Sequence, residues 1–229
     1  MKILCPEQYD PAWWELRRGR PTSSNAAKIC TPAKMDYSTQ SKAYINTLIG
    51  DLYDAEYPRE DGYQNAAMQR GTELEAEARE SFGFDKSFTI EEVGLCSDDD
   101  ETLWGSPDGI IVDTGEPLEI KAPNPATHVA YILGGKLPSA YIGQVHAHML
   151  VAGVKSAWFA SYCPGFSNFT VHVKAGKYLN ELRACMTRFH DDYQSTLDQI
   201  IKHQGPPPER AAPPQRENNT AENEASNGF

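Results

Sequence analysis

The stretch from Ser106 to Ala122 limits the possible folds of this chain more than any other segment. It begins with Ser-Pro-Asp-Gly at residues 106–109, and Pro second and Gly fourth are typical of a type I turn. It is followed by an apolar run at residues 110–112 and a polar turn at residues 113–116. A second segment at residues 118–122 then alternates apolar and charged residues. This order predicts two antiparallel strands joined as a hairpin.

The predicted hairpin brings charged side chains to one point. Side chains alternate along a strand, so Glu119 and Lys121 share one face while Ile120 points to the other. The hairpin places Asp108 opposite Glu119 and Lys121, within a residue or two of register. Converging carboxylates repel each other unless a cation lies between them, and hard oxygen ligands favour Mg²⁺ or Mn²⁺. The alternative is a solvent-facing ion pair that contributes little.

A divalent-metal site of this kind predicts hydrolysis of a phosphodiester. The cation acidifies a bound water, which then attacks phosphorus. Lys121 would orient that water, stabilise developing charge or, with a lowered pKa, accept a proton. Glu75 lies at the edge of an apolar helical stripe, from which it would reach the metal directly or through water. The alternative for Glu75 is a solvated face shared with neighbouring acidic residues.

The hydrophobic patterns on both sides of the hairpin predict an α/β domain with a mixed central sheet flanked by helices. Helices are predicted at residues 11–19, 22–30, 41–53, 67–82, 139–153 and 182–200, and further strands at residues 87–96, 156–162 and 169–174. The segment 205–229 is rich in Pro, Asn and Glu and lacks apolar periodicity. We expect it to be a disordered tail after a single domain that spans residues 1–204.

Charge and composition exclude several classes of protein. The formal net charge of −11 argues against a broad basic surface that coats nucleic acid, although it does not exclude carboxylates that hold cations. The sequence contains no run of eighteen apolar residues, so no membrane-spanning helix is predicted. The five cysteines form no C-x-x-C pair, which is typical of reduced thiols in a cytosolic protein.

With these residues in view, the chain resembles the lambda exonuclease family of phage recombination nucleases. This YqaJ-like family belongs to the PD-(D/E)xK superfamily. The resemblance covers roughly residues 11–200 and implies a nuclease domain with the PD-(D/E)xK fold. It depends on motifs in the family's order: Trp13-x-x-Leu16-Arg17-x-Gly19, Thr22-x-Ser24, Gly71-x-x-x-Glu75, Ser106-Pro107-Asp108-Gly109, Glu119-Ile120-Lys121 and Ser139-Ala140-Tyr141-x-x-Gln144-Val145.

The resemblance implies a role for each matched position of the metal site. Asp108 and Glu119 would be metal ligands, and the main-chain carbonyl of Ile120 would complete the coordination. Glu75 would hold a metal-bound water, and Lys121 would position or activate the attacking one. The cofactor would be Mg²⁺, with Mn²⁺ also effective, at one or two ions per site.

The resemblance also implies the reaction and its partners. Family members form a homotrimeric ring around linear double-stranded DNA and digest one strand in the 5′→3′ direction. They release 5′-mononucleotides and leave a 3′ overhang, which a phage single-strand annealing protein coats for homologous recombination. This implies a phage- or prophage-encoded protein in the bacterial cytoplasm. Two alternatives stay open: a PD-(D/E)xK endonuclease of restriction or junction-resolving type, and a catalytically silent DNA-end-binding module.

A preference for 5′-phosphorylated ends requires a phosphate pocket. Arg17 offers a planar fork of donors, and Ser24 lies at a predicted helix N-terminus, where free N–H groups favour an anion. Ser106 and Gln144 match the family's remaining phosphate contacts. Met68 matches an apolar wedge that parts the duplex. The alternatives are a surface arginine that caps a helix for Arg17 and a core side chain for Met68.

Two histidines of the predicted helix 139–153 are not assigned to the site. His146 and His148 are two residues apart and therefore do not face the same way on a helix. Position 148 also departs from the Tyr that many members of the resembled family carry four residues after the Gln. The sequence thus predicts no metal ligand at either position.

Overall fold

A computed structural model describes residues 1–5, 8, 11–57 and 66–209, apart from the side chains of residues 11 and 66–69. Its α-helices are α1 (Pro11–Arg17), α2 (Ser41–Tyr53), α3 (Ala66–Lys86), α4 (Pro125–Gly134), α5 (Ile142–Ala152) and α6 (Lys177–Gln204). Its strands are β1 (Lys2–Cys5), β2 (Cys30–Thr31), β3 (Asp36–Tyr37), β4 (Ile90–Glu91), β5 (Leu95–Ser97), β6 (Trp104–Gly105), β7 (Gly109–Ile111), β8 (Pro117–Lys121), β9 (Ser156–Ser161) and β10 (Phe169–Lys174). Short 3-10 helices span Ser23–Lys28 and Ser139–Tyr141.

The central sheet has five strands in the order β10-β9-β8-β7-β4. Strands β8 and β9 are parallel and the other neighbouring pairs are antiparallel, so the sheet is mixed, as predicted. A smaller sheet has the order β1-β5-β6, and β2 pairs with β3. The predicted hairpin is confirmed, since Gly109 pairs with Leu118 and Ile110 pairs with Pro117.

Strand β8 separates two layers of the protein. Its Leu118 and Ile120 pack against Phe82 of α3, as the strand alternation predicts. Helix α5 packs against β9, because Met149 of α5 and Phe159 of β9 belong to the same hydrophobic cluster. Since Glu119 and Phe159 are register partners, the charged face of β8 meets α5 while its apolar face meets α3.

Capping residues set the ends of the helices near the site. Helix α5 ends at Gly153, whose φ of 70° is the left-handed conformation expected of a C-terminal glycine. Helix α4 was not predicted, although the side chain of Asn124 accepts the N–H of Thr127 and Pro125 occupies its first turn. These capping signals are short, and the apolar pattern between them is not periodic enough to indicate a helix by itself.

Three predicted elements are corrected by the structure. The short helix predicted at residues 22–30 is a 3-10 helix over Ser23–Lys28, and Cys30 already belongs to β2. The single strand predicted at residues 87–96 is wrong, because β4 and β5 lie in different sheets. The chain leaves the central sheet before Gly94, whose carbonyl oxygen accepts a hydrogen bond from the indole of Trp13 in α1. The helix predicted from Ser139 begins instead as a 3-10 turn and becomes α-helical at Ile142.

Helix α6 ends at Gln204, and the hydroxyl of Tyr53 donates to the carbonyl oxygen of Gly205 at 2.7 Å. The predicted tail begins here, and its residues 210–229 lie outside the described part of the chain. The division into a domain at 1–204 and a tail at 205–229 therefore stays a prediction. None of the described helices has the length and apolar character needed to cross a membrane.

Candidate active site

The β7–β8 hairpin places the carboxylate of Asp108 beside the main chain of β8. The N–H of Asp108 donates to the carbonyl oxygen of Leu118 at 2.9 Å, which continues the ladder of the hairpin. The N–H of Ile120 then donates to Oδ2 of Asp108 at 2.5 Å. Asp108 and Glu119 therefore lie next to each other at the open end of the hairpin, as the spacing in the sequence predicts.

Glu119 is buried, with 1% of its side chain exposed, and both of its oxygens have close neighbours. Oε1 forms an ion pair with Nζ of Lys121. Oε2 lies 2.9 Å from Nε2 of His148 in α5. The Lys121 ammonium also lies 5.5 Å from the ring centre of Tyr141, which covers the cluster from the start of α5.

Glu75 approaches the same cluster from α3, in contact with Arg79 one turn later. A guanidinium nitrogen of Arg79 donates to Oε1 of Glu75 at 2.7 Å, and Nε donates to the carbonyl oxygen of Asp108 at 2.6 Å. A third donor of Arg79 reaches Glu92 at 2.7 Å. Arg79 therefore ties the helix that carries Glu75 to the turn that carries Asp108.

The carboxylates of the cluster differ in their pKa values. Burial and the neighbouring charge of Glu119 raise the pKa of Asp108 well above its usual range, against the opposing effect of Lys121. Burial also raises the pKa of Glu75, although the Arg79 charge opposes it. Burial acts against ionisation of Glu119 too, but the Lys121 charge and the His148 hydrogen bond outweigh it and lower the pKa.

The donor set at this point fits a hard divalent cation. Two carboxylates lie side by side, and burial together with the charge of Glu119 raises the pKa of Asp108. A cation bound between the two carboxylates would offset this repulsion. Within the described residues, no three Asp, Glu, His or Cys side chains already converge as a ligand group. Mg²⁺ typically uses one or two carboxylates and keeps several waters, so Asp108, Glu119 and the Ile120 carbonyl suffice as protein ligands.

Two of the residues predicted to bind phosphate, Arg17 and Ser106, contact each other near this cluster. The hydroxyl of Ser106 accepts hydrogen bonds from Arg17 at 3.3 Å and from the indole of Trp13 at 3.0 Å. The Arg17 guanidinium lies over the Trp13 ring, 4.2 Å from its centre. Because Ser106 is two residues before Asp108, this contact connects Arg17 to the hairpin turn.

The other predicted phosphate contacts lie on adjacent elements. Ser24 belongs to the 3-10 helix, and its hydroxyl lies 3.1 Å from that of Thr22. Gln144 is half-buried in α5, next to Gly143, which approaches the 3-10 helix so closely that a Cβ would lie 3.0 Å from the nitrogen of Ala27. The backbone of Met68 lies in α3, and its side chain lies outside the described part of the structure.

Sequence reasoning missed two residues that contact the cluster. Arg79 follows Glu75 by four residues, and this spacing on a helix could have indicated the pair. His148 was set aside, yet it binds Glu119. No sequence signal indicates this contact, because it depends on how α5 packs against β8.

A mixed sheet in which one strand follows an Asp and the next carries Glu-x-Lys defines the PD-(D/E)xK class of folds. Residues 12–155 match the family described as the YqaJ-like viral recombinase domain. The chain therefore belongs to this family. The recognition made from the sequence motifs is confirmed.

Solved structures agree with this assignment. The chain is similar to an alkaline exonuclease, LHK-Exo, from Laribacter hongkongensis, with 28% identity, a TM-score of 0.71 and coverage of 85% of this chain and 97% of that one. The complex of LHK-Exo with dAMP gives a TM-score of 0.72 at the same identity and coverage. A phage related exonuclease from Haemophilus somnus 129PT, at 14% identity and a TM-score of 0.61 over 81% of this chain and 98% of that one, shows the shared fold alone. No curated protein matches the chain.

Proposed function

We propose that this protein is a Mg²⁺-dependent exonuclease that digests one strand of linear double-stranded DNA from a 5′-phosphorylated end. It releases 5′-mononucleotides and leaves a 3′ single-stranded overhang. The observation that carries the proposal is the contact of Asp108, Glu119 and Lys121 at the end of a hairpin, in a chain of the YqaJ-like family. The similarity to an alkaline exonuclease, 28% identical over 97% of its length, supports hydrolysis from an end.

In this mechanism, each residue of the cluster has one task. Asp108, Glu119 and the Ile120 carbonyl would hold one or two Mg²⁺ or Mn²⁺ ions, and Glu75 would hold a water of the hydrated ion. When bound, the ion supplies positive charge at the scissile phosphate and acidifies water. In the metal-free protein, Glu119 and Asp108 raise the pKa of Lys121 against the effect of burial, so its side chain is an ammonium. It therefore orients the attacking water and stabilises the charge that develops on phosphate oxygens.

The end of the DNA is recognised beside this cluster. Arg17 donates two parallel hydrogen bonds to the terminal 5′-phosphate, and its stacking on Trp13 keeps the guanidinium in place. Ser106, Ser24 and Gln144 add neutral donors. We assign the parting of the duplex ends to Met68, which lies two turns before Glu75 on α3.

The chain acts as a homotrimeric ring around DNA, and the overhang passes to a single-strand annealing protein. Helix α4 supports subunit contacts, because Val129, Ile132 and Leu133 lie on one face of it and are 38%, 43% and 82% exposed. The formal charge of three chains is 3 × −11 = −33, so the DNA is attracted by metal ions and local basic groups. We place this activity in the bacterial cytoplasm, where buried thiols such as Cys96 and Cys163 stay reduced.

One assay tests this function against its alternatives. Linear duplex with a 5′-phosphate, linear duplex with a 5′-hydroxyl and closed circular plasmid are each incubated with Mg²⁺ or with EDTA. Mononucleotides released only from linear DNA, only with Mg²⁺ and fastest from the phosphorylated end support the proposal. Linearised plasmid would show an endonuclease instead, and binding without cleavage would show a silent end-binding module.

The Arg17 contact has a separate test. We expect Arg17→Ala to reduce the preference for phosphate over hydroxyl ends by about 10- to 100-fold, since a charge-assisted bidentate contact contributes about 1.5–3 kcal/mol. Rates on the hydroxyl end should change little. Equal discrimination by the variant and the wild type would remove Arg17 from the pocket.

A further inference from the structure

The two oxygens of Glu119 have different surroundings. Oε2 lies 2.9 Å from Nε2 of His148, and the two side chains are 1% and 2% exposed. Oε1 forms an ion pair with Lys121 but has no hydrogen bond of acceptable geometry among the described residues. Oε2 is therefore fixed by the imidazole of His148, while Oε1 faces the ammonium of Lys121. Ligating carboxylates are typically anchored in this way by a residue behind them.

The imidazole of His148 is held in one orientation by packing. Its Nδ1 is buried and, in the described part of the chain, makes no hydrogen bond. That edge of the ring lies against Gly105 of β6, where an added Cβ would come within 3.0 Å of Nδ1 and 2.6 Å of the Ser23 hydroxyl. The ring is thus enclosed between β6 and β8. Because an ionised carboxylate only accepts hydrogen bonds, we assign the proton of the contact to Nε2.

We propose that His148 is a positioning residue, which fixes Glu119 through Oε2 and leaves Oε1 to bind the divalent cation. This proposal rests on the proposed function, in which Glu119 is a metal ligand. A carboxylate without this anchor rotates about its terminal bond and loses the orientation that the metal requires. His148 does not touch the metal or the DNA and acts only through Glu119.

The same helix provides a matched control. His146 lies two residues earlier in α5 and is also buried, with 7% exposed. Its Nδ1 lies 2.8 Å from the carbonyl oxygen of Ile142 in its own helix, and its ring packs edge-on against Tyr178 at 5.1 Å. His146→Leu therefore removes a buried imidazole from α5 without touching Glu119.

The experiment measures Mn²⁺ affinity by isothermal titration calorimetry on the full chain, for the wild type, His148→Leu, His148→Gln, His148→Asn and His146→Leu. Circular dichroism and thermal unfolding in EDTA verify the fold of each variant. We expect His148→Leu to weaken Mn²⁺ binding by about 10- to 100-fold. His148→Gln retains most of the affinity, because its amide nitrogen reaches the place of Nε2. His148→Asn is too short and behaves like the leucine variant, and His146→Leu binds like the wild type.

Two results would overturn the role of His148: wild-type affinity in folded His148→Leu, or equal affinities of the Gln and Asn variants. If His148→Leu does not fold, the comparison of the two amide variants decides the matter alone. Wild-type protein that binds no Mn²⁺, or Glu119→Gln that binds it like the wild type, would contradict the proposed metal site itself. The failure of that site is thereby distinguished from the failure of the His148 proposal.

Discussion

The two ends of the β7–β8 hairpin both carry largely buried carboxylates, but their neighbours differ in charge. At the turn end, Glu116 accepts hydrogen bonds from the hydroxyl of Ser156, the indole of Trp158 at 2.9 Å and Nε2 of His172 at 3.0 Å. Burial acts to raise the pKa of Glu116, but these three donors outweigh it and lower the pKa. Such a carboxylate is stable as an ion and needs no further ligand.

At the open end, Asp108 lies against a second buried carboxylate, Glu119, and its pKa rises instead of falling. Repulsion between these two carboxylates lowers the stability of the folded protein, and it acts at the open end of the hairpin and not at the turn end. A perturbed pKa with a specific charged neighbour is typical of functional sites. The comparison therefore separates a structural carboxylate from the proposed metal ligands on the same hairpin, and it can be tested by parallel substitutions at both ends.

The largest difference is expected in catalysis. Asp108→Asn or Lys121→Ala should lower the rate of DNA cleavage by at least about 10³-fold, because the metal site and the orienting ammonium each contribute several kcal/mol. Nucleotide release from a 5′-phosphorylated linear duplex measures this rate, and Glu116→Gln is the control. Cleavage by Asp108→Asn at more than a tenth of the wild-type rate would end the distinction between the two carboxylates.

A second prediction concerns the stability of the ion pair at the open end. Glu119→Gln should lower the free energy of unfolding by roughly 2–3 kcal/mol, since it removes the carboxylate that forms the ion pair with Lys121. The loss is smaller than for a fully buried pair, because 30% of the Lys121 side chain is exposed. Urea denaturation in EDTA measures it. An unchanged midpoint and slope would show that the ion pair contributes no stability.

Asp108→Asn should have the opposite effect on stability. Without divalent ions at neutral pH, we expect a gain of about 1–2 kcal/mol in the free energy of unfolding, because one of two adjacent negative charges disappears while the amide oxygen still accepts the N–H of Ile120. A variant that is inactive yet more stable would show that the Asp108 carboxylate is needed for activity and not for folding. A loss of stability would contradict the assignment of repulsion as the dominant effect.

The pH dependence of this gain has a defined sign. The folded-state pKa of Asp108 lies above its unfolded value, so its stabilising contribution is complete below the unfolded pKa. That contribution disappears as the pH rises through the folded pKa. The stability difference between Asp108→Asn and the wild type should therefore grow with pH over this window and be constant above it. Thermal unfolding in EDTA at a series of pH values measures the curve, and a flat difference would refute the raised pKa.

The smallest effect is expected at the turn end. Glu116→Gln should lower the free energy of unfolding by about 1 kcal/mol. The neutral amide oxygen still accepts some of the hydrogen bonds that the carboxylate accepts, but more weakly. Its cleavage rate should stay within about twofold of the wild type, since Glu116 contacts no residue of the cluster. A large loss of activity in a folded Glu116→Gln variant would link the two ends of the hairpin.

The contact between Asp108 and β8 was predictable because these residues are close in sequence, whereas their catalytic roles stay predictions. The alternation of Glu119, Ile120 and Lys121 fixes which side chains share a face, and the short turn fixes Asp108 opposite them. The strand predicted at residues 87–96 shows the limit of this reasoning. Its β-branched and aromatic residues predict one strand, but its two halves pair in different sheets, and the carbonyl oxygen of Gly94 between them accepts a hydrogen bond from distant Trp13. The assigned roles of the phosphate-pocket residues and Met68 stay predictions.

The sequence by itself determined the hairpin, the order of most helices and strands, and the convergence of Asp108 with Glu119. Local backbone geometry and strand alternation are sufficient for these features. Only the tertiary structure decided that Arg79 joins Glu75 to the Asp108 turn and that His148 anchors Glu119. These contacts join helices to strands 29 residues apart in each case, and the packing angle between a helix and a sheet depends on the whole core.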